Sequence, residues 1–185
     1  MNWKAVLTAL IFLLSQFIVS AQVHLGVGGN YALPAGQFNK MNSDSPGISL
    51  LLESRKYCNL WYGIKLDYLF LEKNQQTDTT YFTNAFIFSP EFRYVFTYGN
   101  CSNPGINFYA QGLLNISSIG GSDQANRLGL GGSLGAGASM PYVFLKKCWA
   151  LDMNISYAAP NFIFRAENRM QIQYIMISLF MSIGL

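Results

Sequence analysis

The chain is short of charge. Only 11% of its 185 residues are Asp, Glu, Lys or Arg, under half of the ~25% usual in globular domains. The 12 basic and 9 acidic residues leave a net charge of +3. They are scattered, so no Lys/Arg cluster with interleaved aromatics marks a nucleic-acid surface. Histidine is nearly absent, His24 being the only one. That excludes a histidine-rich metal site, and a Ser/His hydrolase would have to use this one residue as its base. The three cysteines, Cys58, Cys101 and Cys148, have no Cys-x-x-Cys spacing, so neither a zinc ribbon nor a dithiol redox motif is encoded. Gly26-x-Gly28-Gly29 is not followed by a helical pattern, which excludes a nucleotide loop. Long apolar runs are missing as well. Beyond the N-terminal segment nothing reaches the ~18 apolar residues of a membrane-helix candidate. The best stretch, Tyr174 to Leu185, is broken by Ser178 and Ser182.

What the chain has is aromatics, at 15%, 17 glycines, and a persistent two-residue alternation. The clearest case is Leu60 to Phe70. Leu60, Tyr62, Ile64, Leu66, Tyr68 and Phe70 make up one set, and Trp61, Gly63, Lys65, Asp67 and Leu69 the other. In a strand these sets point to opposite faces, one wholly apolar and one carrying a Lys and an Asp. A soluble sandwich would bury the apolar face. A transmembrane barrel turns it toward lipid and keeps the polar face in the lumen. Low charge with many aromatics fits the second arrangement.

The N-terminus points the same way. Lys4 supplies a short basic region, Ala5 to Phe17 an apolar core, and Val19-Ser20-Ala21 a small-x-small cleavage site. This pattern predicts a secretory signal peptide over residues 1–21, with cleavage between Ala21 and Gln22. Residues 22–185 then form one domain, with no interior composition shift to divide it.

Eight strand-like segments follow: Val23 to Leu33, Gly47 to Ser54, Leu60 to Leu71, Tyr81 to Phe96, Ile106 to Ile116, Leu128 to Ala138, Trp149 to Tyr157 and Ile172 to Leu185. The alternation leaves the facing of the second open. Pro90, inside the fourth, cannot donate to a ladder and predicts a bulge. The Gly-rich sixth leaves room for large lumen residues or for a close backbone approach. The connectors 33–46, 72–80, 117–127 and 158–170 are long and polar, while 55–59, 97–105 and 139–148 are mostly shorter. Eight is the smallest usual strand number for a membrane barrel. The expectation is therefore an all-β, eight-stranded, antiparallel up-and-down transmembrane β-barrel behind a signal peptide.

Lys65, Asp67, Glu91, Arg93 and Asp152 fall on the predicted lumen faces. Strands three and four are neighbours, so Lys65/Asp67 and Glu91/Arg93 are expected to form one ion-pair network. Its functional reading is a gated polar path for ions. The structural reading, which we prefer, is a plug, because eight strands leave an interior that side chains fill. The three cysteines fall in or beside the predicted periplasmic turns of an oxidising compartment. With strands ~4.8 Å apart, Cys58–Cys101 is the pair best placed to close; three free thiols or a Cys101–Cys148 bridge are the rivals. The Asn-x-Ser triplets at Asn100, Asn115 and Asn154 are read as chance.

The signal peptide, the Gly-rich first strand, the segment Asn30 to Phe38, the Ser89-Pro90 strand and the Gly-x-Gly-x-Gly sixth strand together resemble small outer-membrane β-barrel proteins of the Bacteroidota, with an OmpA/OmpX-like eight-stranded barrel. The resemblance is one of pattern over the whole mature chain and implies no catalytic residue. The sequence thus predicts a non-enzymatic integral barrel in the outer membrane of a Gram-negative bacterium, without cofactor or metal, in a structural or surface-interaction role. Its expected partners are outer-membrane lipid, the barrel-assembly machinery during biogenesis, and an unidentified surface ligand through the longer loops, but no nucleic acid. The alternatives are a narrow pore for ions or small solutes, and a secreted lipocalin-like barrel with its apolar residues turned inward around a ligand.

Overall fold

The computed structural model describes residues 23–55, 59–74, 82–121, 124–165 and 171–185, the side chains of 124–127 and 165 excepted. The signal-peptide segment lies outside the described residues. Eight strands form the wall: β1 (Val23–Pro34), β2 (Ser45–Ser54), β3 (Leu60–Phe70), β4 (Phe82–Val95), β5 (Asn107–Gly121), β6 (Gln124–Phe144), β7 (Lys147–Arg165) and β8 (Tyr174–Gly184). Each pairs antiparallel with its sequence neighbour, and β1 pairs with β8, from His24↔Gly184 to Pro34↔Tyr174. The sheet is therefore a closed barrel without an edge, as a strand needs where no water can satisfy its backbone groups. We call the end where β1 begins and β8 finishes the lower end.

Alternation fixes the facing of every strand. On β3, Trp61, Gly63, Lys65, Asp67 and Leu69 are buried, while Leu60 and Phe70 are exposed and Tyr62, Ile64, Leu66 and Tyr68 half-buried. This is the opposite of the lipocalin-like arrangement. The undecided β2 resolves in the same way, with Ser49, Leu51 and Glu53 buried against exposed Ile48, Leu50 and Leu52. Leu51 is an apolar residue in a polar interior, which is why the period was hard to read. On the Gly-rich β6, a side chain at Gly137 would collide with the Tyr109 ring, so this strand does make room for a large lumen residue.

Several boundaries differ from the sequence expectation. Residues 139–148 are not a loop. β6 and β7 run on as one hairpin whose turn is Leu145-Lys146, with φ of 49° and 60°, the doubly left-handed geometry that matches strand twist. Residues 117–127 are also largely strand. The lower connector 96–106 is as long as the upper connector 71–81, so connector length does not separate the two ends. Pro90 makes no bulge. β4 and β5 keep one register from Phe88↔Ile116 to Glu91↔Leu113, but Ser89 and Pro90 drop out of the ladder, because Pro90 has no N–H to give. The irregularities sit higher, at Phe82/Asn84 in the β4–β5 pairing and, in β6–β7, between Leu130↔Phe164 and Gly132↔Ala159, where β7 carries extra residues.

The upper mouth is stopped by apolar side chains. The β1–β2 connector turns through a short 3-10 helix, Phe38–Lys40, and drops Phe38 into a buried cluster with Leu69, Ile87, Ile119, Ile172 and Met176. Two-residue strands, Asn42–Ser43 and Glu72–Lys73, pair above it. Buried Asn42 fastens them, its Nδ2 donating to the Glu72 and Phe82 carbonyls at 3.0 and 2.7 Å.

Candidate functional site in the barrel interior

Below the Phe38 cluster the lumen is polar, and all five predicted residues lie in it. Lys65, Asp67, Glu91, Arg93 and Asp152 are each at most 1% exposed. They do not form the single network expected from strand adjacency. The ion pairs fall into two groups, Lys65–Asp67 within β3 and Arg93 with Glu91 on its own strand, Glu53 on β2 and Asp152 on β7.

The lower group centres on Arg93. Its guanidinium is 2.9 Å from Asp152 on β7, 3.2 Å from Glu91 on its own strand and 3.3 Å from Glu53 on β2. It also lies over the Tyr109 ring at 4.6 Å, and the Tyr109 hydroxyl donates to Asp152 at 2.5 Å. Arg55 extends the group, 2.9 Å from Glu53 and stacked 4.1 Å over Trp61. A planar guanidinium with five fixed donors suits this many-sided role. The middle group centres on Asp67. It pairs with Lys65 at 3.2 Å and accepts from Asn30 at 3.0 Å and from the Ser49 hydroxyl. Lys65 in turn reaches β8, 3.5 Å from Ser178 and 5.3 Å over the Phe180 ring. Between and above them run neutral links, Gln111 to Asn154 at 3.3 Å and Ser89 to Asn115 at 2.9 Å. The first spans from β5 to β7 and the second joins the adjacent strands β4 and β5.

Sequence reasoning missed Glu53, Arg55 and Trp61 as members of this site. Glu53 was legible only through the Ser49/Leu51/Glu53 period, and Arg55 lies just past the strand. His24 faces inward at the lower end, beside Arg55, Trp61 and Cys148, remote from the apolar outer wall. Among the described residues, no group of His, Cys, Asp and Glu is arranged to hold a metal.

The lower mouth is covered by the 96–106 connector. Asn107 holds Gly99 through both its amide atoms, and Asn100 caps its own turn by accepting from Ser102 and Asn103 at 2.9 and 2.7 Å. This path decides the disulfide. Cys101 bonds to Cys148, with Cα atoms 5.7 Å apart, which corrects the expected Cys58–Cys101 pair. The strand-adjacency argument assumed that the connector continues along the edge of β4. It crosses the mouth instead and brings Cys101 beneath β7, 3.4 Å from the Tyr142 carbonyl oxygen. Cys58 lies outside the described residues.

A closed eight-stranded barrel with a polar, side-chain-filled interior and an apolar outer wall defines a class, the small outer-membrane-type barrel fold. No family model and no curated protein matches the sequence. Among solved structures the chain is similar to Neisserial surface protein A, with a TM-score of 0.56 and 15% identity over 88% of this chain and 97% of that one. What the two share is the fold.

Proposed function

We propose that the chain is an integral barrel of a Gram-negative outer membrane, of the Bacteroidota type, acting without catalysis in envelope structure and surface interaction. The observation that carries this is the inversion of the wall. Large apolar side chains such as Ile48, Leu50, Phe92, Leu134, Met153 and Leu179 are more than half exposed around the barrel, while the mid-strand charges Lys65, Asp67, Glu91, Arg93 and Asp152 are inside. In water such a band would aggregate; in hydrocarbon it is the required surface. The signal-peptide pattern of residues 1–21 supports export, and the Asn30 to Phe38 segment supports the Bacteroidota assignment. The upper loops would face outward, and the disulfide-bearing end would face the oxidising periplasm. Lipid and the barrel-assembly machinery are the partners this reading requires. A narrow pore is the weaker reading, because the Phe38 cluster and the 96–106 connector stop the two mouths.

Fractionation tests the proposal. The protein is expected in a carbonate-resistant membrane pellet, with heat-modifiable gel mobility and a requirement for detergent to stay folded. A stable, monodisperse protein in plain buffer overturns it.

A further inference from the structure

The outer wall is not uniform. Two of its outward positions on neighbouring strands are glycines, Gly112 on β5 and Gly132 on β6, and their register (Gly112↔Leu134, Leu114↔Gly132) sets them on a diagonal, each opposite a leucine. They hollow a groove of about 690 Å³ whose lining is almost wholly apolar, bounded by Pro90, Leu114, Leu134 and Phe162. The groove lies where Ser89 and Pro90 leave the β4–β5 ladder, so its floor contains a rung that Pro90 cannot close to Leu114. The extra residues of β7 carry Phe162 over Gly132, 3.7 Å from where a Cβ would stand.

At its upper rim the groove reaches Gln171. The same residue lines a second, polar cleft of about 470 Å³ with Gly36, Gln37 and Gln173. An apolar trough facing hydrocarbon therefore leads directly into a cleft of three amides at the rim. Amides are neutral and offer both donors and acceptors, a match for hydroxyl groups and a poor one for a phosphate, which recruits Arg or Lys.

From this juxtaposition we infer that the barrel carries a binding site for a single glycolipid of the leaflet at its upper end. One acyl chain lies in the Gly112/Gly132 groove, and the sugar hydroxyls hydrogen-bond to Gln37, Gln171 and Gln173. A second apolar groove of about 520 Å³, beside Val27, Ile48 and Leu50, has no amide side chain in its lining and serves as the internal control for ordinary lipid contact.

The inference rests on the membrane reading, which the buffer-solubility test can defeat before any lipid is added. The test uses the full protein in phosphatidylethanolamine vesicles containing a glucosyl diacylglycerol with a diazirine in one acyl chain, or phosphatidylglycerol with the same chain. The glycolipid is expected to label peptides containing Leu134 and Phe162 several-fold more than those containing Ile48 and Leu50, and phosphatidylglycerol to label both alike. Gly112→Leu should abolish the excess. Its Cβ would meet only Leu134, at 3.7 Å, so the fold has room for it, and heat-modifiable mobility checks that. Gln171→Ala with Gln173→Ala, which alters the groove only at its upper rim, should bring glycolipid labelling down to the phospholipid level. Equal labelling of the two grooves, indifference to the sugar, or cross-links joining two copies of the chain across the groove would each overturn the proposal.

Discussion

Arg93 is a buried cation with three carboxylates around it, from β2, β4 and β7. Its own desolvation is expensive, and only the completeness of its partners makes it tolerable. The asymmetry predicts an order of damage. Arg93→Met leaves Glu53, Glu91 and Asp152 facing one another without their shared cation and is expected to cost about 3–5 kcal/mol. Glu91→Gln removes one of three acceptors and relieves repulsion, so it should cost much less. Urea unfolding in lipid vesicles, followed by tryptophan fluorescence, measures both. Equal losses would mean that Arg93 acts through packing on Tyr109, not through charge.

At the level of elements, the β6–β7 hairpin holds two ordinary side chains, Leu145 and Lys146, in left-handed backbone. Each such residue costs roughly 1–2 kcal/mol relative to one that adopts the region freely. Replacing the pair by Asn-Gly, the favoured residues for this turn, should raise stability by about 1–2 kcal/mol in the same assay. The neighbouring disulfide is checked by non-reducing peptide mapping, which is expected to join Cys101 to Cys148. These two features also show where the sequence could be read and where it could not. The period of Leu60 to Phe70 assigns β3 completely, because one face is wholly apolar and the other carries Lys65 and Asp67. Residues 139–148 carry Pro141 and the Lys146-Lys147 pair, which interrupt the alternation, and nothing local marks Leu145-Lys146 as a turn. The cysteine pairing depended on the path of 96–106 across the mouth, which is a property of packing. Phe38 sat in a connector with no signal that it would fold inward. The five lumen charges could be placed by parity, and the same-strand pairs Lys65–Asp67 and Glu91–Arg93 follow from it, but Glu53 and Asp152 reach Arg93 from other strands, where β3–β4 adjacency says nothing.

For the whole molecule, the inverted wall and the two stoppered mouths make separate predictions. An outward Leu179→Arg near mid-wall should destabilise the protein by ~2–4 kcal/mol if the wall meets hydrocarbon, and unfolding in vesicles would show it. Planar-bilayer recordings should show no large, stable conductance, because the interior is occupied from the Phe38 cluster down to the 96–106 connector; reproducible channels would instead favour the pore. The seam between β1 and β8 has a consequence of another kind. It joins His24 to Gly184 and Pro34 to Tyr174, nearly the full length of the chain apart. Every other wall contact forms between consecutive strands and can zip locally, but this one carries the largest loop-closure cost and cannot begin until the final strand has been delivered. Until then the incomplete sheet has two open edges, each a template for a wrong partner. Closure is therefore expected to come last, and shielding those two edges until the seam forms is the task the proposed assembly machinery would perform.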